Sequence, residues 1–342
     1  MTGREIGIGV VGLGVMGKAH VSAYRAAREA GFPCRLVAVA DRNPRKLDGD
    51  LDAVSNIKTD DASGLAFDPR EVTGYTDASS LFHDPRVDAV SICTRTETHV
   101  ALAVTALAAG KHVLLEKPVA LRAAEFRPLV VAAAAADRLL MPAMCMRFWP
   151  GWDWLKQKTV DGSYGKLKSL FLRRLGSGPA WARDFYGDPE KSGGALVDLH
   201  IHDSDFVRHL CGDPSTVTST GDLDHLTTLY RFPPGGPTHV AAEGGWNHAI
   251  GFPFRMQYTA VFEFGTADFD LGRAPKLLLS HNGISEPIAL LDQTGYDGEV
   301  RAFVTAVRRG ETSPVGILDA LGTAALLDAE RESLSRGVTV AV

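Results

Sequence analysis

Over the first 146 positions, apolar residues fall into short runs separated by longer amphipathic stretches. IGIGVV at 6–11, LVAVA at 36–40, DAVSIC at 88–93, HVLLE at 112–116 and LLMPAMCM at 139–146 have the length and β-branched content of buried strands. Between them, 18–30 and 99–109 carry helical periodicity and stop at Gly31 and Gly110, residues suited to helix C-termini. This alternation predicts a doubly wound parallel α/β sheet. After about Arg147 the pattern changes. Strand-like runs at 167–174, 225–232, 239–246, 255–264 and 276–280 follow one another through Gly/Pro-rich turns, as in a mostly antiparallel sheet. Helices are expected at 151–160 and 195–210, and near 299–309 and 319–336. The chain therefore divides into an N-terminal domain of Rossmann type at 1–146 and an α+β domain at 147–342. The segment 48–72 is acidic and longer than a βα connection needs, so it reads as a surface loop or a disordered flap.

Composition narrows the class. With 342 residues, 45% of them apolar, the chain can bury two cores. A net charge of −5 without a Lys/Arg run gives no basic field for nucleic acid. No stretch approaches the roughly 18 uninterrupted apolar residues that a membrane span needs. The β-type run begins too near residue 1 to leave room for a secretory signal, so a cytoplasmic protein is expected. Cys34, Cys93, Cys145 and Cys211 are scattered without C-x-x-C spacing and suit reduced core thiols.

Gly12-Leu13-Gly14-Val15-Met16-Gly17 fits G-x-G-x-x-G and lies between an expected strand and an expected helix, the context that separates a dinucleotide loop from a mere tight turn. Gly12 permits the turn, Gly14 admits the pyrophosphate to the backbone, and Gly17 lets helix and strand approach; the helix start supplies free N–H groups. Asp41 ends the next strand, where a carboxylate accepts hydrogen bonds from ribose hydroxyls and repels a 2′-phosphate. NAD is therefore favoured, although Arg42 can pair with that phosphate and admit NADP.

Glu116-Lys117-Pro118 stands at the carboxyl end of the fifth run, where open α/β sheets place ligands, and Pro118 restricts the backbone beside Lys117. The alternative is a solvated lysine at a strand end. In the expected helix from Ala195, Asp198 and His202 are i, i+4 neighbours. At about 100° per residue, Asp198, His202, Asp205 and His209 project as a polar stripe about 90° from Leu196, Leu199, Phe206 and Leu210. A metal held by His202 with Asp198 or His200 would need a third convergent ligand, which the pattern does not offer. Acid–base work suits these residues better: His202 takes a hydroxyl proton, Asp198 orients the imidazole, and Lys117 stabilises the alkoxide or relays the proton.

Taken together, GLGVMG, AVADRN, the T-x-T-x-T-H stretch at 94–99, AGKHVLLEKP, MRFWP and GGALVDLHIHDSDF resemble the Gfo/Idh/MocA family of sugar and cyclitol dehydrogenases over nearly the whole chain. The resemblance implies Lys117, Asp198 and His202 as the catalytic set and Gly12, Gly14, Val15, Met16, Gly17 and Asp41 as the dinucleotide site. It also implies Thr94, Thr96, His99 and Glu116 near the cofactor and Arg147 at the domain junction, and a homodimer or homotetramer built on the open sheet face. Two positions depart from the pattern. Thr94-Arg95-Thr96 lacks the proline usual in T-P-N or T-P-T, and His200 stands where glycine is frequent. Trp181, Arg183, Tyr186, Trp246, His248 and Tyr296 are candidates for contacts to a polyhydroxylated substrate. A redox-neutral NAD-dependent hydrolase and a dinucleotide-sensing regulator are the competing functions.

Overall fold

The computed structural model describes residues 4–51, 65–179 and 183–342. Most of the 48–72 segment, at 52–64, lies outside the described residues, as does Trp181. The chain divides into two compact units, Met1–Cys145 with Gly295–Leu321, and Met146–Thr294 with Gly322–Val342.

In the first unit the elements run β1 (Ile6–Val11), α1 (Val15–Glu29), β2 (Cys34–Ala40), β3 (Thr73–Tyr75), α2 (Ala78–Phe82), β4 (Ala89–Ile92), α3 (His99–Ala108), β5 (His112–Glu116), α4 (Arg127–Ala135) and β6 (Leu140–Ala143). The six strands are parallel and ordered β3-β2-β1-β4-β5-β6. β1 and β4 are buried at every position, which is why both appear in the sequence as continuous apolar runs instead of alternating ones. Strand order reverses between β1 and β4, so their carboxyl ends open the crevice in which this topology binds ligands. α1 begins three residues earlier than the periodicity suggests, because Gly14 serves as its N-cap and the glycine loop leads directly into the helix. The last predicted strand is shorter than expected, ending at Ala143 before a 3-10 turn at Cys145–Phe148.

A helix far along the chain completes this unit. After α5–α9, introduced below, Gly295–Arg309 forms α10 and packs along α1, burying Glu299, Val300, Phe303, Val304 and Ala306. Tyr296 accordingly belongs to the first unit. Hydrophobic periodicity announces the helix but carries no signal for which sheet it joins.

The second unit holds α5 (Trp152–Asp161), β7 (Leu167–Ser177), α6 (Arg183–Tyr186), α7 (Pro189–Ser192), α8 (Gly194–Asp198), α9 (Ile201–Cys211), β8 (Thr216–Gly221), β9 (His225–Arg231), β10 (His239–His248), β11 (Arg255–Phe262), β12 (Thr266–Asp270), β13 (Leu277–His281), β14 (Ile284–Pro287) and β15 (Val340–Ala341). Its nine strands are ordered β14-β13-β12-β11-β7-β10-β9-β8-β15, antiparallel except for the central β7–β10 pair. β11 alternates strictly between intermediate and buried positions, the mark of a sheet with one covered face. Trp152 sits fully buried with its ring edge-on to Tyr258 at 4.9 Å and Phe269 at 4.6 Å. Each such pair contributes about 0.5–1.5 kcal/mol beyond area burial. The final long helix, α11 (Ile317–Arg336), leads into β15. β8, β12, β14 and β15 were not legible as strands in the sequence; β8 is a Thr-rich stretch and β15 has two residues.

The helix expected from Ala195 onward is broken. α8 ends at Asp198, and the amide of His200 reaches back five residues to the Ala195 carbonyl at 2.8 Å. The amides of His202 and Asp203 then bond three residues back, to Leu199 and His200. A five-residue closure widens the turn and shifts every later side chain around the axis. The turn carries Asp198 out of helical register with His202, and the projected polar stripe fails separately at Asp205. Asp205 is 1% exposed and held in a buried ion pair, not set along a polar edge with His209.

Candidate active site

The loop after β1 has the geometry that its glycines foretell. Gly12 lies at φ +88°, and a Cβ there would come within 2.7 Å of the Cys93 carbonyl. A Cβ on Gly17 would strike the Gly12 carbonyl, so only glycine lets the first turn of α1 close against the loop. Around Gly14, by contrast, a Cβ would meet nothing within 4 Å. That opening faces a helix start with no side-chain cap among the described residues, so amide N–H groups are left for an anion. Asp41 secures the loop: Oδ2 accepts from the Leu13 amide at 2.8 Å and Oδ1 from the Asn43 amide at 2.8 Å. Lys46 Nζ stands 3.4 Å from Asp41 Oδ2, a cation not noticed in the sequence, while Arg42 is exposed. Open backbone at Gly14, free amides and a fixed carboxylate at the end of β2 fit a dinucleotide.

The loops after β4 and β5 are tied together. His99, 1% exposed, places Nδ1 2.7 Å from the Pro118 carbonyl and Nε2 3.0 Å from the Thr94 carbonyl. Burial pushes its imidazole below the usual histidine range. Thr94 also shares a hydroxyl contact of 2.7 Å with Thr98, and Thr96 is buried, so Thr94-Arg95-Thr96 is held by side chains where a proline is absent. At the end of β5, Glu116 Oε1 lies 2.8 Å from His20 Nε2 and Oε2 accepts from the Lys117 amide at 3.1 Å. Lys117 is half-buried, and its peptide bond to Pro118 is cis.

In the second unit, Asp198 ends α8 and His202 lies in the first turn of α9; both are half-buried. α9 is anchored by charge. Arg174 on β7 makes a bidentate pair with Asp203 at 2.8 and 3.0 Å, both side chains at most 3% exposed. Arg147 does the same with Asp205 at 2.7 and 2.8 Å, and Asp205 also accepts from Thr323 Oγ1 at 2.9 Å. His200 is fully buried with Nε2 3.2 Å from Tyr230 Oη and from Glu330 Oε2, so it packs as part of a core network. Among the candidate substrate residues, Trp246 donates its indole N–H to Asp224 Oδ1 at 2.7 Å and meets Tyr186 edge-on at 5.8 Å. His248 stacks on Phe252 at 4.2 Å and lies near His225, which bridges Asn247 and Glu243. Arg183 opens α6.

Two family models match. Residues 6–144 fit the oxidoreductase family with an NAD-binding Rossmann fold, and residues 152–264 fit the C-terminal domain of the same family. This chain belongs to the Gfo/Idh/MocA oxidoreductase family. Its first unit is an NAD-binding Rossmann domain. Among similar proteins, inositol 2-dehydrogenase from Pseudomonas fluorescens is 28% identical over 98% of this chain and 96% of its own length. Myo-inositol 2-dehydrogenase from Thermotoga maritima is 27% identical over 67% of this chain and 65% of that protein. The fold matches that of levoglucosan dehydrogenase, solved with NADH and levoglucosan, with a TM-score of 0.82 at 22% identity over 99% of this chain and all of that one.

Several residues around the site escaped sequence reasoning. His20 follows Gly17 by three residues on an otherwise apolar face of α1, and a polar side chain on a buried face is the signal that can reveal such a residue. Glu299 stands likewise on the buried face of α10. Nothing in the sequence marks Asp203 and Asp205 for the buried pairs they make with Arg174 and Arg147.

Proposed function

We propose that this Gfo/Idh/MocA protein is an NAD(P)-dependent dehydrogenase that moves hydride between the nicotinamide and a secondary alcohol or ketone of a sugar, cyclitol or related polyol. The observation that carries the reading is the end of β5. Lys117 follows a buried, hydrogen-bonded Glu116 and precedes Pro118, whose carbonyl is clasped by His99, so a lysine stands on a tethered turn at the ligand-binding edge of the sheet. The names of the relatives, inositol and levoglucosan dehydrogenases, support the polyol class.

In this reading Gly12, Gly14, Gly17 and Asp41 hold NAD, which accepts the hydride when bound, and Val15 and Met16 lend their amides at the start of α1. His202 takes the hydroxyl proton, Asp198 orients the imidazole, and Lys117 stabilises the alkoxide. Asp41 favours NAD over NADP. Trp246, Tyr186 and His248, together with Trp181, Arg183 and Tyr296, are proposed for the substrate; Arg147, already paired with Asp205, acts by holding α9. Cytoplasmic residence and a homodimer or homotetramer belong to the same reading. Among the described residues no helix is long and apolar enough to cross a membrane.

The test is nicotinamide absorbance with a panel of sugars, inositols and ketoses in both directions. Substrate-dependent NADH formation is expected, and Lys117→Ala and His202→Ala each lower kcat by roughly 10² or more while NADH still binds. Release of a leaving group without net NADH would favour the redox-neutral hydrolase, and dinucleotide binding without turnover would favour a regulator. Full turnover in His202→Ala removes that residue from the chemistry.

A further inference from the structure

Below the dinucleotide loop, three side chains from elements remote in sequence converge inside the first unit. His20 of α1, Glu116 at the end of β5 and Glu299 of α10 bring their ring nitrogen and carboxylate oxygens within 4.8 Å of one another. His20 and Glu299 are 0% exposed and Glu116 4%. Glu116 is well supplied with donors, His20 Nε2 at 2.8 Å and the Lys117 amide at 3.1 Å. Neither oxygen of Glu299 has a hydrogen-bond partner among the described residues, nor does His20 Nδ1.

Burying one unpaired carboxylate costs several kcal/mol, and two carboxylates this close cannot both ionise without a cation between them. His20 is the basic side chain of the cluster, and it is already engaged with Glu116. Among the described residues the other titratable groups facing Glu299 offer no positive charge: Tyr24 of α1, bonded to Ser91 Oγ at 2.9 Å, and Cys93 just beyond β4. We infer that Glu299 and Glu116 share one proton, carried by Glu299 as a neutral carboxylic acid, so that Glu116 alone remains an anion and holds the turn bearing Lys117. Glu116 keeps the charge because both donors point at it; Glu299 keeps the proton because no donor among the described residues points at it. Burial, with the Glu116 charge second, pushes the Glu299 carboxyl well above the usual range, in agreement with this assignment.

Glu299 is a positioning residue, acting on Lys117 through Glu116 and the backbone amide, and that part of the inference rests on the acid–base reading of Lys117. If the proton leaves in alkaline solution, two adjacent carboxylates repel and the turn loses its anchor. Because the folded state holds this proton more tightly than the unfolded chain, the stabilisation is complete at acid pH and declines as pH rises through the folded value.

Infrared difference spectroscopy of the unmutated protein against Glu299→Gln tests the proton directly. At neutral pH the unmutated protein should show the carbonyl stretch of a neutral carboxylic acid that Glu299→Gln lacks, and in the unmutated protein alone the band should fade only at alkaline pH. Absence of that band overturns the inference, as does a stoichiometric divalent cation in the purified protein that Glu299→Gln fails to retain. In turnover, Glu299→Ala should lower kcat about tenfold, and Glu299→Gln should restore it and remove the alkaline decline. An alkaline limb unchanged in Glu299→Gln overturns the positioning role. If Lys117→Ala keeps full activity, the acid–base reading falls while the infrared result still decides where the proton is.

Discussion

In the first unit the ligand-binding loop takes its shape from backbone: Gly12 at positive φ, Gly17 against the Gly12 carbonyl, and amides fastened to Asp41. In the second unit Asp198 and His202 stand on either side of a widened helical turn, and α9 is held by two buried arginine–aspartate pairs. The glycine spacing of the first site is written in contiguous residues, although the Cys93 carbonyl that excludes a Cβ at Gly12 and the Asp41 carboxylate that fastens Leu13 come from the ends of later strands. Sites built by tethering depend on partners 29 and 58 residues away, and their precision is electrostatic. The two halves should therefore fail differently, one by losing its ligand and the other by losing its fold.

The largest expected effect is on the tether. Arg174→Met leaves Asp203 as an uncompensated buried charge and should destabilise the second unit by about 3–5 kcal/mol. Adding Asp203→Leu should recover most of that loss, because the second substitution removes the stranded charge. Urea unfolding followed by tryptophan fluorescence measures both, since Trp152 lies in the core of this unit. A double variant no more stable than Arg174→Met would mean that the pair acts through shape and not charge.

These contrasts also explain what the sequence discloses. β1, β2, β4 and β5 are continuous apolar runs and their parallel order follows from the βαβ alternation, so the Rossmann sheet and the glycine loop were legible. Lys117 was legible because a charged pair and a proline at the end of a buried strand interrupt an otherwise apolar pattern. The break at Leu199–His200 was not. Both residues lie near αR conformation, with neither glycine nor proline to mark the site, and it is the buried His200 network with Tyr230 and Glu330 that accompanies the widened turn. α10 was legible as a helix, but its place against α1 is a tertiary fact; so is the meeting of Glu299 with His20 and Glu116.

A smaller effect tests the backbone-built half. Asp41→Ala removes the carboxylate that fixes the Leu13 and Asn43 amides and that pairs with Lys46. The NAD-over-NADP preference in kcat/KM should fall by roughly tenfold or more, about 1.4 kcal/mol, while unfolding midpoints move little. Dinucleotide titrations with both cofactors check this. An unchanged preference ratio would show that the site at the end of β2 does not read the 2′ position.

The smallest expected effect separates a tether from a surface pair. Asp84 accepts from Arg86 Nη2 at 2.6 Å and Tyr75 Oη at 3.0 Å, linking β3 to the loop before β4, but the Arg86 side chain is 50% exposed where that of Arg174 is 3%. The guanidinium of Arg86 holds the Asp84 carboxyl down at about 2, against an ordinary 3.8. A carboxyl depressed in the folded state stabilises above its unfolded value and loses that contribution as pH falls toward the folded one. Asp84→Asn should therefore cost about 1 kcal/mol at neutral pH, after discounting the full shift for solvent screening of Arg86. The difference should hold constant down to about pH 5, shrink between about pH 4 and pH 2, and weaken in added salt, whereas the Arg174 loss should be insensitive to salt. A cost for Asp84→Asn that persists unchanged at pH 3 would assign the stabilisation to the neutral hydrogen bonds of Tyr75 and the Arg86 amide, and not to charge.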